Sequence, residues 1–386
     1  MNTFEKDSSY ICGTYARFPV EITGGCGCVL YGSDGKEYVD MGSGIAVNTF
    51  GQCDSEWVSA VTDQLAKFQH TSNLFYSGPC AELAAEICGR TGMKKVFFSN
   101  SGAEANECAI KTARKYHEDK NDGRSVIITL KNSFHGRTVT TLAATGQDAF
   151  HKNFLPLTEG FAYAEANDLE GLIALADSIS PAAVMMEIVQ GEGGVNALSE
   201  EFVKGVADYC ERTDTLLICD EVQTGNGRTG KLYGYMNYSV VPDIFTTAKG
   251  LAGGLPIGAT VFSEKTSGVL TPGTHGSTFG GNPVCCAGAL SIIRRIDDAL
   301  LSSVREKSEY IVSELSSASG IRSVSGLGLM LGVETEKPAA EVLAACRERG
   351  VLVLTAKTKV RLLPPLNIPW DKLKFAVEVI KSVCAE

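Results

Sequence analysis

The sequence has no long apolar run and no surplus of positive charge. None of its stretches approaches the roughly 18 consecutive apolar residues of a membrane span, and the opening residues, MNTFEKDSSY, lack the apolar core of a secretory signal. Lys and Arg total 35 against 45 Asp and Glu, which gives a formal charge of −10. A nucleic-acid-binding face needs clustered basic residues. We therefore expect no nucleic-acid partner and no membrane, and we predict a cytoplasmic location.

The 13 cysteines lack the spacing of a metal site or of a disulfide framework. Close groupings occur only at Cys26 with Cys28 and at Cys285 with Cys286, and neither is the C-x-x-C pair of a zinc site. An odd number of scattered cysteines in so long a chain is typical of reduced thiols in a reducing compartment. We therefore predict no bound metal.

The middle of the chain alternates short apolar runs with helical patterns. The runs are continuous rather than alternating, which indicates strands that are buried on both faces of a parallel sheet covered by helices. This pattern predicts an α/β fold, in which ligands bind at the carboxyl ends of the strands. The predicted strands span residues 95–99, 125–130, 182–189, 216–220, 244–247 and 259–263.

The two ends of the chain predict a second, smaller α+β unit. Asp34-Gly35 between two apolar runs is a hairpin signal. Towards the C-terminus the pattern predicts a long helix over 285–316, strands over 326–333 and 351–354, and an amphipathic helix over 370–383. We assign residues 61–290 to a large domain, 291–386 to a C-terminal small domain, and 1–60 to an N-terminal segment that contributes to the small domain.

One helix of the large domain begins in a pattern that suits an anion. The run Ser101-Gly102-Ala103-Glu104 follows a predicted strand and fits the S-x-x-E capping box. Free N–H groups and the helix dipole at such an N-terminus can bind phosphate. An ordinary capped helix has the same pattern, and on its own the pattern favours that simpler interpretation.

Two further groups of polar and aromatic residues follow predicted strands. Asp220 and Glu221 stand at a strand end, where a carboxylate can either reach a ligand or simply cap a helix. Phe134 could stack on a flat ring, and Arg137 could clamp a carboxylate. His135 between them is more often a hydrogen-bonded structural residue than a catalyst.

A lone lysine lies in the apolar, Gly-rich stretch FTTAKGLAGGLPIGA at 245–259. Most lysines are solvated surface residues, but a desolvated lysine can attack a carbonyl carbon and form a Schiff base. Lys249 follows Asp220 by one strand–helix–strand step. A helix N-terminus for a phosphate, an acid for a ring nitrogen and an amine for an aldehyde together match the three parts of pyridoxal phosphate.

With these residues in view, the chain resembles the class III pyridoxal-phosphate-dependent aminotransferases of fold type I over nearly its whole length. The resemblance rests on the strings FFSNSGAEANECAIKTARKY, SFHGRTVTTLAATGQ, QGEGGV, CDEVQTGNGRTG, TAKGLAGGLPIGA, HGSTFGGNPVC and VRLLPPLNI. It implies a large domain with a mainly parallel central sheet flanked by helices, plus a smaller α+β domain. Within the class, TYARFPV, HTSNLFY and RLLPPL most resemble the acetylornithine aminotransferases.

The resemblance also implies a role for each matched residue. Lys249 would carry the cofactor as a Schiff base and shuttle the proton, and Asp220 would pair with the pyridine nitrogen. Glu192 would pair with Arg361 whenever no substrate carboxylate is there. The implied cofactor-binding residues are Ser101, Gly102, Ala103, Phe134, Asp220, Glu221, Val222, Gln223, Lys249 and, towards the neighbouring subunit's cofactor, Thr278. The implied substrate-binding residues are Arg137, Glu192, Ser277 and Arg361.

The implied reaction transfers the terminal amino group of N2-acetylornithine to 2-oxoglutarate. The products would be N-acetylglutamate 5-semialdehyde and glutamate, in arginine biosynthesis, and the role of Thr278 implies a homodimer with shared active sites. Ornithine, succinylornithine or another ω-amino acid stay open as donors, because pocket shape separates such substrates by only about 1–3 kcal/mol.

Two hypotheses from other classes compete with an aminotransferase. A noncatalytic pyridoxal-phosphate-binding protein is opposed by the intact Lys249, Asp220 and Arg361. A dehydrogenase would need G-x-G-x-x-G after the first strand, and no such string opens the first helix of the α/β region.

The chain departs from the family pattern at three strings. Ile188 replaces the Pro of a Met-Glu-Pro string, and Gly51-Gln52-Cys53-Asp54-Ser55 lacks both histidines of a GHCHP-like string. Asn226 replaces the Met of TGMGRTG. None of these positions has an implied catalytic role, so we expect the departures to affect fine specificity only.

Overall fold

The computed structural model describes residues 1–386. Its strands are β1 Ile22–Cys26, β2 Val29–Gly32, β3 Glu37–Asp40, β4 Lys95–Ser99, β5 Ile127–Leu130, β6 Phe161–Ala164, β7 Ala183–Met186, β8 Val189–Gln190, β9 Asn196–Ala197, β10 Leu216–Asp220, β11 Ile244–Thr247, β12 Gly258–Phe262, β13 Ile321–Leu327, β14 Met330–Thr335, β15 Val351–Leu352, β16 Leu354–Ala356 and β17 Lys359–Leu362.

The helices cover both ends of the chain and alternate with the strands between them. They are α1 Thr3–Tyr10, α2 Ser43–Ala46, α3 Ser55–Leu65, α4 Gly78–Thr91, α5 Gly102–Lys120, α6 Val139–Ala144, α7 Asp148–His151, α8 Leu169–Ile179, α9 Glu200–Thr213, α10 Pro283–Ile293, α11 Asp298–Ser316, α12 Ala339–Glu348 and α13 Trp370–Ala385. Short 3-10 turns lie at Gly234–Asn237 and Lys249–Leu251. None of the helices combines the length and the apolar composition that crossing a bilayer requires.

A seven-stranded sheet with the order β4-β12-β11-β10-β7-β5-β6 forms the centre of the molecule. Only β12 runs antiparallel to its neighbours, so the sheet is mainly parallel, as predicted. Every residue of β5, β7 and β10 is buried, because helices such as α5 and α9 pack against the sheet. The continuous apolar runs of the sequence have this burial as their physical cause.

The predicted strands at 95–99, 216–220 and 244–247 are confirmed at their stated bounds. The strand predicted over 182–189 ends at Met186, because the chain leaves the sheet there. The carboxylate of Glu187 then accepts a hydrogen bond from the N–H of Phe134, in the loop after β5. Strand β6 is absent from the prediction, since it is a short edge strand and three of its four residues are only half-buried.

The N-terminal and C-terminal parts of the chain share a sheet. Strand β3 pairs in parallel with β15 in the order β1-β2-β3-β15, and the predicted hairpin is confirmed as β2 and β3. The single strand predicted over 326–333 is wrong, because Gly328 (φ 57°) turns the chain between antiparallel β13 and β14. The single helix predicted over 285–316 is also wrong: α11 starts anew where Asp297 accepts a hydrogen bond from the N–H of Leu300.

Two large apolar clusters hold the molecule together. One contains 45 buried residues around the central sheet, and the other contains 25 buried residues from β3, the C-terminal strands and α11 to α13. The separation of these clusters agrees with a large and a small unit, and the boundary between the units stays a prediction.

Candidate active site

A cavity of about 470 Å³ lies where the parallel strands end. Its wall takes residues from the segments that follow β4, β5, β7, β10 and β11, so it occupies the position at which α/β sheets bind ligands. The predicted site residues that line it are Ser101, Gly102, Ala103, Phe134, Arg137, Asp220, Val222, Gln223 and Lys249.

Lys249 reaches this cavity from a single helical turn directly after β11. Burial lowers the pKa of its amine below that of an ordinary lysine, and the carboxylates of Glu192 and Asp220 oppose this shift only in part. A lowered pKa leaves more of the amine neutral, and the neutral amine is the form that attacks a carbonyl carbon. The structure thus gives the lone lysine of the sequence the environment that its proposed chemistry requires.

Asp220 ends β10 and is held by three donors. Its Oδ2 accepts hydrogen bonds from Nδ2 of Asn106 and Nδ1 of His135, each at 2.8 Å, and its Oδ1 accepts one from the N–H of Val222 at 3.0 Å. Only 3% of Asp220 is exposed. Because two buried side chains hold one oxygen and a backbone N–H holds the other, the carboxylate has one orientation at the cavity wall.

The N-terminus of α5 forms one part of the cavity wall. Ser101 caps the helix by accepting a hydrogen bond from the N–H of Glu104 at 3.2 Å. The predicted capping box is only half formed, since Glu104 accepts from the N–H of Asn100 (2.6 Å) instead of that of Ser101. The N–H groups of Gly102 and Ala103, in the first turn, have no acceptor within the helix and are available to a ligand.

Gly102 is required by a close approach between two walls of the cavity. A Cβ atom at Gly102 would lie 2.7 Å from Cγ1 of Val222, a separation that real side chains do not reach. The start of α5 can therefore lie against Val222 only because residue 102 has no side chain. This contact brings the helix N-terminus next to the segment that carries Asp220.

Arg137 stands at the mouth of the cavity with its charge over aromatic rings. Its guanidinium carbon lies 4.2 Å from the ring centroid of Phe150 and 5.6 Å from that of Phe134. Arg137 is exposed, and it lines the cavity together with Phe134. Its guanidinium is therefore close to any ligand that enters. A planar cation in this position can bind a carboxylate bidentately.

Arg361 lies on β17 and is 4% exposed. Its Nη1 donates to Oε1 of Glu192 at 2.5 Å and lies 3.4 Å from Oε1 of Gln223. Its Nε is buried and has no hydrogen-bond partner. Gln223 lines the cavity, so it links the pair of buried Arg361 and half-buried Glu192 to the site, and the unused Nε–H of Arg361 leaves capacity for a further acceptor.

Glu221 is fully buried but turned away from the cavity. Its Oε2 accepts hydrogen bonds from Oγ1 of Thr224 (2.7 Å) and the N–H of Gly234 (2.6 Å), and its Oε1 accepts one from the N–H of Tyr235 at 2.8 Å. These bonds brace the loop that follows Asp220. The structure therefore corrects the expectation that this side chain contacts the cofactor.

Ser277 and Thr278 lie on a loop outside the cavity. Oγ of Ser277 accepts a hydrogen bond from Nδ2 of Asn100 at 3.2 Å, and Asn100 lines the cavity. Thr278 is exposed beside a separate small pocket that His70 also lines. One chain alone does not bring Thr278 to its own cavity, and its service to a neighbouring subunit stays a prediction.

Glu187 and Asn106 are site residues that the sequence reasoning missed. Glu187 lines the cavity directly after β7 and accepts a hydrogen bond from the N–H of Phe134 at 2.9 Å. Burial raises the pKa of Glu187 well above its usual value, and the charge of Asp220 raises it further. Asp220 was predicted because it is an acid at the end of a buried strand. Glu187 fits the same pattern, since β7 ends at Met186, but the predicted strand ran on to residue 189 and so hid it.

The family model described as aminotransferase class-III matches residues 11–384. The chain belongs to this family. It is similar to the acetylornithine aminotransferase of Haemophilus ducreyi, with 49% identity over 385 residues that cover 99% of this chain and 98% of the relative.

Solved structures of related enzymes superimpose closely. The ornithine aminotransferase of Toxoplasma gondii has a TM-score of 0.94 at 31% identity and covers 99% of this chain and 94% of its own. The N-acetylornithine aminotransferase of Stenotrophomonas maltophilia has a TM-score of 0.86 at 33% identity and covers 99% of this chain and 98% of its own.

Proposed function

We propose that this chain is a pyridoxal-phosphate-dependent aminotransferase that transfers the terminal amino group of N2-acetylornithine to 2-oxoglutarate. The products are N-acetylglutamate 5-semialdehyde and glutamate, which fits a step of arginine biosynthesis. The observation that carries the proposal is the meeting of Lys249, Asp220 and the N-terminus of α5 in one cavity of a class-III aminotransferase. The 49% identity to an acetylornithine aminotransferase over the full length supports the donor.

The side chains present fit pyridoxal phosphate. The unpaired N–H groups of Gly102 and Ala103, with Ser101, would hold the phosphate, and Asp220 would accept a hydrogen bond from the ring nitrogen and so keep that nitrogen protonated. Phe134 and Val222 line the cavity and would flank the ring. When bound, the cofactor supplies an electron sink for the carbanion chemistry.

Lys249 would do two things in the reaction. Its neutral amine would hold the cofactor's aldehyde carbon, and once displaced by a substrate amine it would carry a proton between the substrate carbon and the cofactor. A positioned acid–base group of this kind contributes about 10²–10⁴-fold to the rate. The presence of Lys249 and Asp220 in the wall of one cavity supports this role, because both groups can then reach the same bound cofactor.

Arg361 would bind the α-carboxylate of glutamate and 2-oxoglutarate, and Arg137 would bind the other carboxylate. When N2-acetylornithine is bound, Arg137 would hold its carboxylate, and Glu192 would stay paired with Arg361. The 2.5 Å contact between Arg361 and Glu192 supports this exchange, because it keeps a buried cation paired when no carboxylate is there.

We also propose a homodimer in which Thr278 of each subunit completes the other's site. An exposed apolar surface supports it: Leu74, Phe75 and Tyr76 are 88%, 69% and 107% exposed, and Phe279, next to Thr278, is 59% exposed. Contiguous exposed apolar residues mark interaction surfaces.

The proposal includes a domain division and a location. The large unit spans 61–290, and the small unit is built from 1–60 and 291–386. We place the protein in the cytoplasm.

Ornithine is the second candidate donor, because the ornithine aminotransferase of Toxoplasma gondii has the higher TM-score of the two structures compared above, 0.94 against 0.86. The deciding experiment compares kcat/KM for N2-acetylornithine, N2-succinylornithine and ornithine, with 2-oxoglutarate as acceptor. We expect N2-acetylornithine to have the highest value. A higher value for ornithine would keep the class and change the substrate, and no turnover of any amine with added cofactor would contradict the proposed activity.

A further inference from the structure

Asn226 lies in the loop between β10 and β11, at the position where the family string TGMGRTG has Met. It is 3% exposed and has a left-handed backbone with φ of 56°, a conformation that Asn tolerates better than Met does. It does not line the cavity, and none of the roles described so far involves it. A buried amide that replaces an apolar side chain requires a physical reason.

The amide of Asn226 is bound to the two residues that precede Lys249. Its Nδ2 donates to Oγ1 of Thr247 at 3.0 Å and to the carbonyl oxygen of Ala248 at 3.3 Å. The orientation of the amide is fixed by this second bond, because a carbonyl oxygen accepts only from a donor. This orientation leaves Oδ1 of Asn226 buried without a hydrogen-bond partner, which is unfavourable for stability.

Lys249 needs such support because its own backbone is strained. Its φ is 43°, in the left-handed region that residues with a Cβ atom seldom occupy. Strained residues persist only where their surroundings hold them on several sides. On the other side of Lys249, Oγ1 of Thr49 donates to the carbonyl oxygen of Gly250 at 2.8 Å. The turn that presents the lysine is thus anchored at both ends.

We propose that Asn226 is a positioning residue, which fixes the Ala248–Lys249 peptide and thereby aims the amine of Lys249 into the cavity. Methionine has no donor and could not make the bond to Ala248. The inference rests on the proposed role of Lys249 as the residue that holds the cofactor.

The test uses full-length protein loaded with pyridoxal phosphate. Asn226→Gly keeps the left-handed backbone and removes the amide, and Asn226→Met restores the family's residue. Asn121→Gly is the matched control, because Asn121 is an exposed left-handed Asn with φ of 54° at the end of α5. Each protein is measured for the rate of covalent trapping of the cofactor on Lys249 by borohydride, the Kd of pyridoxal phosphate, kcat, KM and Tm.

For both Asn226 variants we expect slower trapping and a Kd for pyridoxal phosphate raised severalfold. We expect kcat to fall about 10-fold with little change in KM, because a small misplacement of a reacting group lowers the rate of reaction strongly. The control should match wild type in each. Variants that lose only Tm, with trapping, Kd and kcat of the folded protein unchanged, would overturn the positioning role alone. Failure of wild type to trap cofactor on Lys249 would instead overturn the proposed function, and this inference with it.

Discussion

Nη1 of Arg361 lies 2.5 Å from Oε1 of Glu192, and Arg361 is almost fully buried. We predict that Glu192→Gln removes the negative partner and leaves Arg361 more open to substrate carboxylates. The KM for 2-oxoglutarate should fall, and kcat/KM for N2-acetylornithine should fall by roughly 10-fold, which corresponds to about 1.4 kcal/mol. Steady-state kinetics with both substrates measure this split. Equal losses for the two substrates would contradict an exchange of partners at Arg361.

Asn106 is expected to act through Asp220, because its Nδ2 donates to Oδ2 of that carboxylate at 2.8 Å. In Asn106→Leu the buried carboxylate loses one of three donors, which should reduce the free energy of unfolding by about 1–3 kcal/mol. We also expect weaker binding of pyridoxal phosphate. Urea unfolding measures the first effect, and a cofactor titration measures the second. Cofactor affinity equal to that of wild type would show that Asn106 does not support cofactor binding through Asp220.

Gly102→Ala should disturb the start of α5, because its Cβ would lie 2.7 Å from Cγ1 of Val222. Forcing these walls apart should cost about 1–3 kcal/mol of stability and weaken binding of the cofactor's phosphate. Gly89→Ala is the matched control, since Gly89 lies within α4 and a Cβ there meets nothing within 4 Å. That control should gain about 0.5–1 kcal/mol. Equal cofactor Kd in Gly102→Ala and wild type would contradict the close approach.

Glu221 predicts a pH dependence of stability. Burial raises its pKa from 4.5 to about 7 in the folded chain, so the folded state binds more protons than the unfolded state between these values. Its contribution to the free energy of unfolding is therefore present at low pH and is lost as pH rises through about 7, by roughly 3 kcal/mol. Glu221→Gln should flatten this slope. Urea unfolding of both proteins near pH 5 and near pH 8 tests it, and parallel slopes would be the contrary result.

Much of the fold and nine of the 20 residues that line the cavity were predictable, because both follow from local patterns. The central strands are continuous apolar runs, and Ser101, Asp220 and Lys249 each lie at the end of one of them or within two residues of it. The direction of β12 was not predictable, since its burial is the same in either direction. The orientation of Glu221 was also hidden, because its partners Gly234 and Tyr235 come together with it only in the folded loop.

The C-terminal errors have a similar cause. A turn at Gly328 inside an apolar run and a helix restart at Asp297 depend on single residues, and periodicity over a long window does not detect them. The proposed role of Thr278 at a neighbouring subunit's site was likewise not readable from one chain, in which Thr278 lines a separate small pocket.

The most direct measurement is the visible absorbance of the pyridoxal-phosphate-loaded protein and of its Lys249→Ala variant, before and after addition of N2-acetylornithine or ornithine. Wild type should show a yellow band that N2-acetylornithine bleaches at a much lower concentration than ornithine does. Lys249→Ala should lack the cofactor–lysine band and should not turn over. Absence of the band in wild type, or full turnover by Lys249→Ala, would contradict the account.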